Sequence, residues 1–169
     1  MKNHSSRMSI VSQSVAKTYS HIIGVDTHAK KHVYAILANS GEHIETRDFP
    51  TTAAGIKCAI TWAGRRTGAD AITLWVIEGA ASYGAVLAGA VTEAAYAVAG
   101  APSGYQKIGR GMGKTDPLDA QRMATAVLPI EVHKLRIPRI NDGARAGLRV
   151  LATARETCSE PSAPVTSMR

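Results

Sequence analysis

Residues 72–77 read Ile-Thr-Leu-Trp-Val-Ile, a nearly unbroken apolar run that stops at Glu78. Six residues are too few for a helix that buries a face. A short run apolar on both sides fits a strand covered on both faces. The preceding sequence supplies its neighbours. Ile22, Ile23 and Val25 form a β-type run ending at Asp26, and Val33 to Leu37 form a second. Asn39-Ser40-Gly41-Glu42 has turn chemistry, and His43 to Phe49 reads as a third strand. The short connections predict an antiparallel meander. Pro50-Thr51-Thr52 opens a helix with Ala53, Ile56, Ala59, Ile60 and Ala63 at i, i+3/i+4 spacing up to Gly64. Tyr83 to Val91 reads as a second helix capped by Ser82, and Ala95 to Ala99 as a weak fifth strand. The order is β-β-β-α-β-α-β.

A different texture begins near Ala101. Pro102-Ser103-Gly104 marks a turn, and Tyr105 to Gly113 is basic and broken by glycine, with Lys107, Arg110 and then Lys114. Thr115 can cap a helix running through Asp116, Pro117 and Asp119 to about Leu128. Pro129 and Pro138 bracket an extended link; Asn141 or Asp142 caps a last helix with a stripe of Ala144, Leu148 and Leu151. The expected organisation is a disordered polar arm over 1–20, a principal domain over 21–128, a linker and the start of a helical segment over 129–156, and a disordered tail over 157–169.

Composition limits the function classes. Of 169 residues, 45% are hydrophobic and 20% charged, which is globular rather than disordered. No apolar run approaches the roughly 20 residues of a membrane helix, and residues 1–20 lack the apolar core of a signal peptide. Cys58 and Cys158 are too few for a disulfide framework or a zinc cluster, so a reduced, cytoplasmic setting is expected. Twenty Lys and Arg against thirteen Asp and Glu give a net charge of +7. That surplus suits a polyanion partner, nucleic acid or acidic membrane, and composition alone leaves a merely soluble basic protein equally open.

Four acids are the candidates for chemistry. Asp26 and Glu78 each close a strand, where a carboxylate faces either a cleft or a solvated turn. Asp116 and Asp119 stand at i, i+3 on one helix face. Acids suit a helix N-terminus, but two so close repel unless a cation lies between them. An Asp, Glu, Asp, Asp set is made of hard oxygen ligands and suits Mg²⁺ or Mn²⁺. Two such ions can activate a nucleophile and stabilise a leaving oxygen in phosphoryl transfer. His28, His32 and His133 lack the further ligands of a zinc site. Phe49, Trp62 and Trp75 are expected in the core. Eight aromatic residues are too few for an extensive base-stacking platform. Lys107, Arg110 and Lys114, extended by Arg136, Arg139, Arg145 and Arg149, form a basic track suited to a nucleic-acid backbone.

Three segments carry a resemblance. Ile23-Gly24-Val25-Asp26-Thr27-His28-Ala29-Lys30 is similar to the opening strand of the DEDD transposases of bacterial insertion sequences, the insertion-sequence-110 family. Val76-Ile77-Glu78-Gly79-Ala80-Ala81-Ser82-Tyr83-Gly84 resembles their second acidic motif, and Gly113-Lys114-Thr115-Asp116-Pro117-Leu118-Asp119-Ala120 their third. Order and spacing agree over roughly residues 21–155. The resemblance implies an α/β fold of the ribonuclease-H-like, RuvC type: a mixed five-stranded sheet with flanking helices. It implies Asp26, Glu78, Asp116 and Asp119 as catalytic metal ligands for Mg²⁺ or Mn²⁺. It further implies DNA as partner in recombination and transposition, a structured guide RNA in some members, and a homo-oligomer. Members of the family continue into a second domain with a serine nucleophile. The turn to Thr157-Cys158-Ser159-Glu160-Pro161 reads as a frameshift or premature end, so the expectation is a truncated copy incompetent for transposition alone.

Two other readings compete. One is a non-catalytic nucleic-acid-binding remnant using the same basic surface. The other is an actin- or hexokinase-like ATPase half, for which Gly24-Val25-Asp26-Thr27 would be the phosphate hairpin; its Gly-rich adenosine contacts are not found in the sequence.

Overall fold

The computed structural model describes residues 13–103 and 116–138, apart from the side chain of Asp116. The chain divides into two units, Met1–Pro138 and Arg139–Arg169. The second unit, with the expected helix over 141–155 and the tail over 157–169, lies outside the described residues, as do residues 1–12 and the basic stretch 104–115.

Five strands form one mixed sheet: β1 (His21–Thr27), β2 (Lys31–Ala38), β3 (His43–Pro50), β4 (Thr73–Ile77) and β5 (Ala97–Gly100). Their spatial order is β3-β2-β1-β4-β5. The first three make the expected antiparallel meander, while β4 joins β1 in parallel and β5 joins β4 in parallel. Every residue of β4 is buried, as its apolar sequence requires. The fold is therefore α/β with flanking helices, in the manner of ribonuclease H.

Alternation along the strands separates two cores. On one face Ile23, Val25, Tyr34, Ile36, Trp75 and Ile77 pack against α2 (Ala53–Thr67) and α3 (Ala85–Glu93). The Tyr34 ring sits edge-on to Phe49, Trp62 and Trp75, with centroids 5.7, 6.5 and 6.1 Å away. The three aromatics expected in the core are thus one cluster. Thr52 caps α2 by accepting a hydrogen bond from the Gly55 N–H at 3.1 Å, and Gly68 ends it in the left-handed conformation. Ser82 does not cap α3: Gly84 occupies that place, and the Ser82 hydroxyl instead donates to the Gly79 carbonyl at 3.1 Å.

On the other face Ile22, Val33, Ala35, Leu37, Leu74 and Val76 meet α4 (Asp116–Val127) through Ala120, Met123, Ala124 and Val127. The approach is close because β1 presents Gly24 there. A Cβ at Gly24 would collide with the Ala120 carbonyl oxygen and stand 3.0 Å from the Ala124 Cβ.

Residues 13–20, expected within a disordered arm, are instead part of the fold. Val15 is fully buried in the α4 core and opens a short helix, α1 (Val15–Thr18). The Val15 N–H donates to the Ile130 carbonyl at 2.8 Å and the Val132 N–H to the Gln13 carbonyl at 3.0 Å. The link expected from 129 onwards also folds back. Leu135 packs against the same core, and the Gly100 N–H donates to the Arg136 carbonyl at 2.6 Å. Scattered serines conceal Val15, whose burial a polar average cannot register. Among the described residues no helix is long and apolar enough to cross a membrane.

Candidate metal centre

Asp26 lies on central strand β1, two residues beyond Gly24 and so on the α4 face. β4 runs parallel alongside, with Val25 opposite Ile77. The ladder extends one step further: the Glu78 N–H donates to the Val25 carbonyl at 3.0 Å, and the Thr27 hydroxyl donates to the Glu78 carbonyl at 3.0 Å. Asp26 and Glu78 therefore close neighbouring strand ends, with the Glu78 carboxyl near enough to that of Asp26 to act on its ionisation. Gly79 permits the abrupt turn after Glu78, with φ of 53° and the Ser82 hydroxyl where a Cβ would stand.

The Asp26 side chain is only 8% exposed. Burial pushes its carboxyl up to about 6, and the neighbouring Glu78 carboxyl acts in the same direction. The opposing influence is His28, whose Nε2 lies 3.1 Å from Asp26 Oδ2. In the sequence His28 offers itself only as a weak zinc ligand, and its contact with Asp26 is not among the expectations. The available signal was its spacing: two residues beyond Asp26, it falls on the same side of an extended chain.

α4 brings the second acidic pair to the same end of the sheet. It ends at Val127, and the next residue, Leu128, has its side chain near Gly41 in the β2–β3 turn. Its N-terminus therefore points toward the end of β1 that carries Asp26. Asp116 is one turn before Ala120, about 6 Å back along the helix axis. Asp26 is about 7 Å beyond Gly24 along its strand. The Asp116 side chain lies outside the described residues. Asp119 is 33% exposed and accepts from Arg122 Nη1 at 3.4 Å. Among the described residues no three His, Cys, Asp or Glu side chains converge closely enough to hold an ion. Asp26 and Glu78 are brought together; Asp119 is engaged by Arg122.

Of the basic track, Lys107, Arg110, Lys114, Arg139, Arg145 and Arg149 lie outside the described residues. Arg136 is exposed, with its backbone on Gly100 and its Nη1 3.2 Å from the Ser103 hydroxyl. Gly100 is opposite Ile77 across the β4–β5 ladder. Arg136 thus sits at the sheet end that carries the acids.

A family model described as Transposase, for the DEDD type of insertion sequence 110, matches residues 23–164. The chain belongs to this transposase family. The match takes in Asp26, Glu78, Asp116 and Asp119, and it runs on to residue 164, past Arg155 where the motif resemblance stopped. No curated protein matches the chain.

Proposed function

We propose that this domain is the divalent-metal-binding catalytic domain of a DEDD transposase, acting on DNA in recombination and transposition. Asp26, Glu78, Asp116 and Asp119 are the ligand set, with Mg²⁺ or Mn²⁺ as the ion. The observation that carries the reading is the placement of buried Asp26 and of Glu78 at the ends of two neighbouring parallel strands. A buried carboxyl beside a second one resists ionisation, and a bound cation would relieve this beyond what the half-exposed His28 ring supplies. The donors are all oxygen, which fits a hard divalent cation rather than zinc. When bound, such an ion polarises phosphoryl oxygens and lowers the pKa of an attacking group.

The chain's own residues have separate tasks in this reading. Glu78 and Asp26 hold the ion from the sheet, and Asp116 and Asp119 from the helix. For Asp119 this requires release of Arg122, which holds it by a single 3.4 Å contact. Arg136, with Lys107, Arg110, Lys114, Arg139, Arg145 and Arg149, would hold the phosphate backbone.

Titration of the full chain with Mg²⁺ and Mn²⁺, followed by thermal unfolding, tests the reading. At about 100 times its Kd an ion adds about 2.7 kcal/mol to stability. Wild type should gain and Asp26→Asn should not. DNA binding without any metal response in wild type would instead favour the non-catalytic remnant. ATP turnover without DNA binding would favour the ATPase half.

A further inference from the structure

We infer that His28 and His32 form a positioning pair for Asp26: His32 anchors the β1–β2 turn through the His28 backbone, and the His28 ring then fixes one carboxylate oxygen. The inference rests on the metal-binding reading above and adds two residues that the four-acid set does not contain.

The geometry starts at the carboxylate. His28 Nε2 is 3.1 Å from Asp26 Oδ2. The His28 side chain is 43% exposed, so packing alone would not hold its ring in place. Its backbone is held instead. The His28 N–H donates to His32 Nδ1 at 3.3 Å. The next two residues are tied to Thr51, just past the end of β3. The Thr51 hydroxyl donates to the Ala29 carbonyl at 3.1 Å, and the Thr51 N–H donates to the Lys30 carbonyl at 3.2 Å. Three consecutive residues of one short turn are therefore anchored from two sides.

His32 has the chemistry this role needs. It is 2% exposed, and its ring lies edge-on to Tyr34 at 6.3 Å. Accepting at Nδ1 requires the neutral ring with its proton on Nε2. Burial and the neighbouring His28 both favour that neutral form. A shared zinc ion is not the explanation of the two histidines. His32 Nδ1 already serves the backbone, and no third ligand joins them among the described residues. Carboxylates that ligate metals are commonly oriented by such outer hydrogen bonds, and losing one typically costs 10–100-fold in affinity.

Two pairs of substitutions separate hydrogen bonding from packing. His28→Gln keeps a donor at the Nε2 position, and His28→Leu removes it. His32→Asn keeps an acceptor at the Nδ1 position, and His32→Leu fills the space without one. The probe is Mn²⁺ binding to the full chain, read by electron paramagnetic resonance, with Asp26→Asn as reference. Both leucine variants should bind about tenfold more weakly or worse, while the Gln and Asn variants stay within about threefold of wild type. In the metal-free protein, the His28 amide should exchange faster in His32→Leu than in His32→Asn. Because His28 is half-exposed, its variants should fold even where those at His32 do not. Leucine variants that bind like wild type, while Asp26→Asn does not, would overturn the pair and leave the metal reading intact. Equal losses in the leucine and conservative variants would reduce the role to packing and overturn it as well. Wild type that binds no Mn²⁺ would remove both.

Discussion

Gly24 and Ala120 meet backbone to backbone: the α4 carbonyl at Ala120 occupies the space of the side chain that Gly24 lacks. This contact sets the height of α4 over the sheet, and with it the distance between the acid-bearing helix turn and the strand end at Asp26.

Gly24→Ala should therefore be costly. The added methyl must push α4 away or bend β1, at about 1–3 kcal/mol or more for overpacking a fitted core. Metal affinity should fall with it, because Asp116 and Asp119 move with the helix. Gly89→Ala is the control: it lies inside α3 with nothing within 4 Å of an added Cβ, and should raise stability by up to about 1 kcal/mol. Urea unfolding of the two variants should shift in opposite directions.

Asp26 makes the metal-free protein sensitive to pH. Its carboxyl is raised to about 6 in the fold, above the value near 4 of an unfolded Asp. The fold thus favours the protonated form. That contribution is fully present below about pH 4 and is lost as pH rises through about 6, at a total of up to about 3 kcal/mol. Asp26→Asn should flatten the stability profile between pH 4 and 7 and be the more stable protein at pH 7. Thermal melts of both proteins across that range, without metal, check the sign. A wild type that gains stability relative to the variant over this window would contradict it.

With Mg²⁺ present the slope should reverse. The ion takes the ionised carboxylate, so affinity should rise as pH increases through about 6 and level off above it. Calorimetric titrations near pH 5.5 in buffers of different ionisation enthalpy should show proton release on binding. At pH 8 that release should vanish.

Arg136 offers a direct test of backbone contact by DNA. It is exposed, so Arg136→Ala should leave the melting temperature nearly unchanged. The salt dependence of DNA binding should lose about one unit of slope, as for one phosphate contact. An unchanged slope would remove Arg136 from the basic track.

The fold was legible wherever the residues repeat a period. The meander, the buried run over 73–77 and the two helices after β3 and β4 all follow from apolar spacing, with boundaries moved by only a few residues. Asp26 and Glu78 were legible as strand ends because a carboxylate interrupts each apolar run. Long-range contacts left less trace. Nothing local distinguishes Gly24 as the place where a helix some 96 positions later comes to rest, an interval only a folded chain closes. Val15 stands in a serine-rich stretch without a sustained apolar period, and the partner that buries it comes from near Ile130. For His28 the spacing places the ring on the side of Asp26, but not which ring nitrogen faces the carboxylate.

The staple between Gln13–Ala16 and Leu128–Val132 has a consequence for engineering. The first described segment and the stretch after α4 run side by side, so a short bridge could join them and the chain could be reopened elsewhere. The β2–β3 turn at Asn39–Glu42 lies at the opposite end of β2 from the turn that carries His28. A circular permutant opened there would leave Asp26 and Glu78 on uncut neighbouring strands. Its retention of metal binding would show that the acidic site depends on the arrangement of the sheet rather than on the order in which its strands are synthesised.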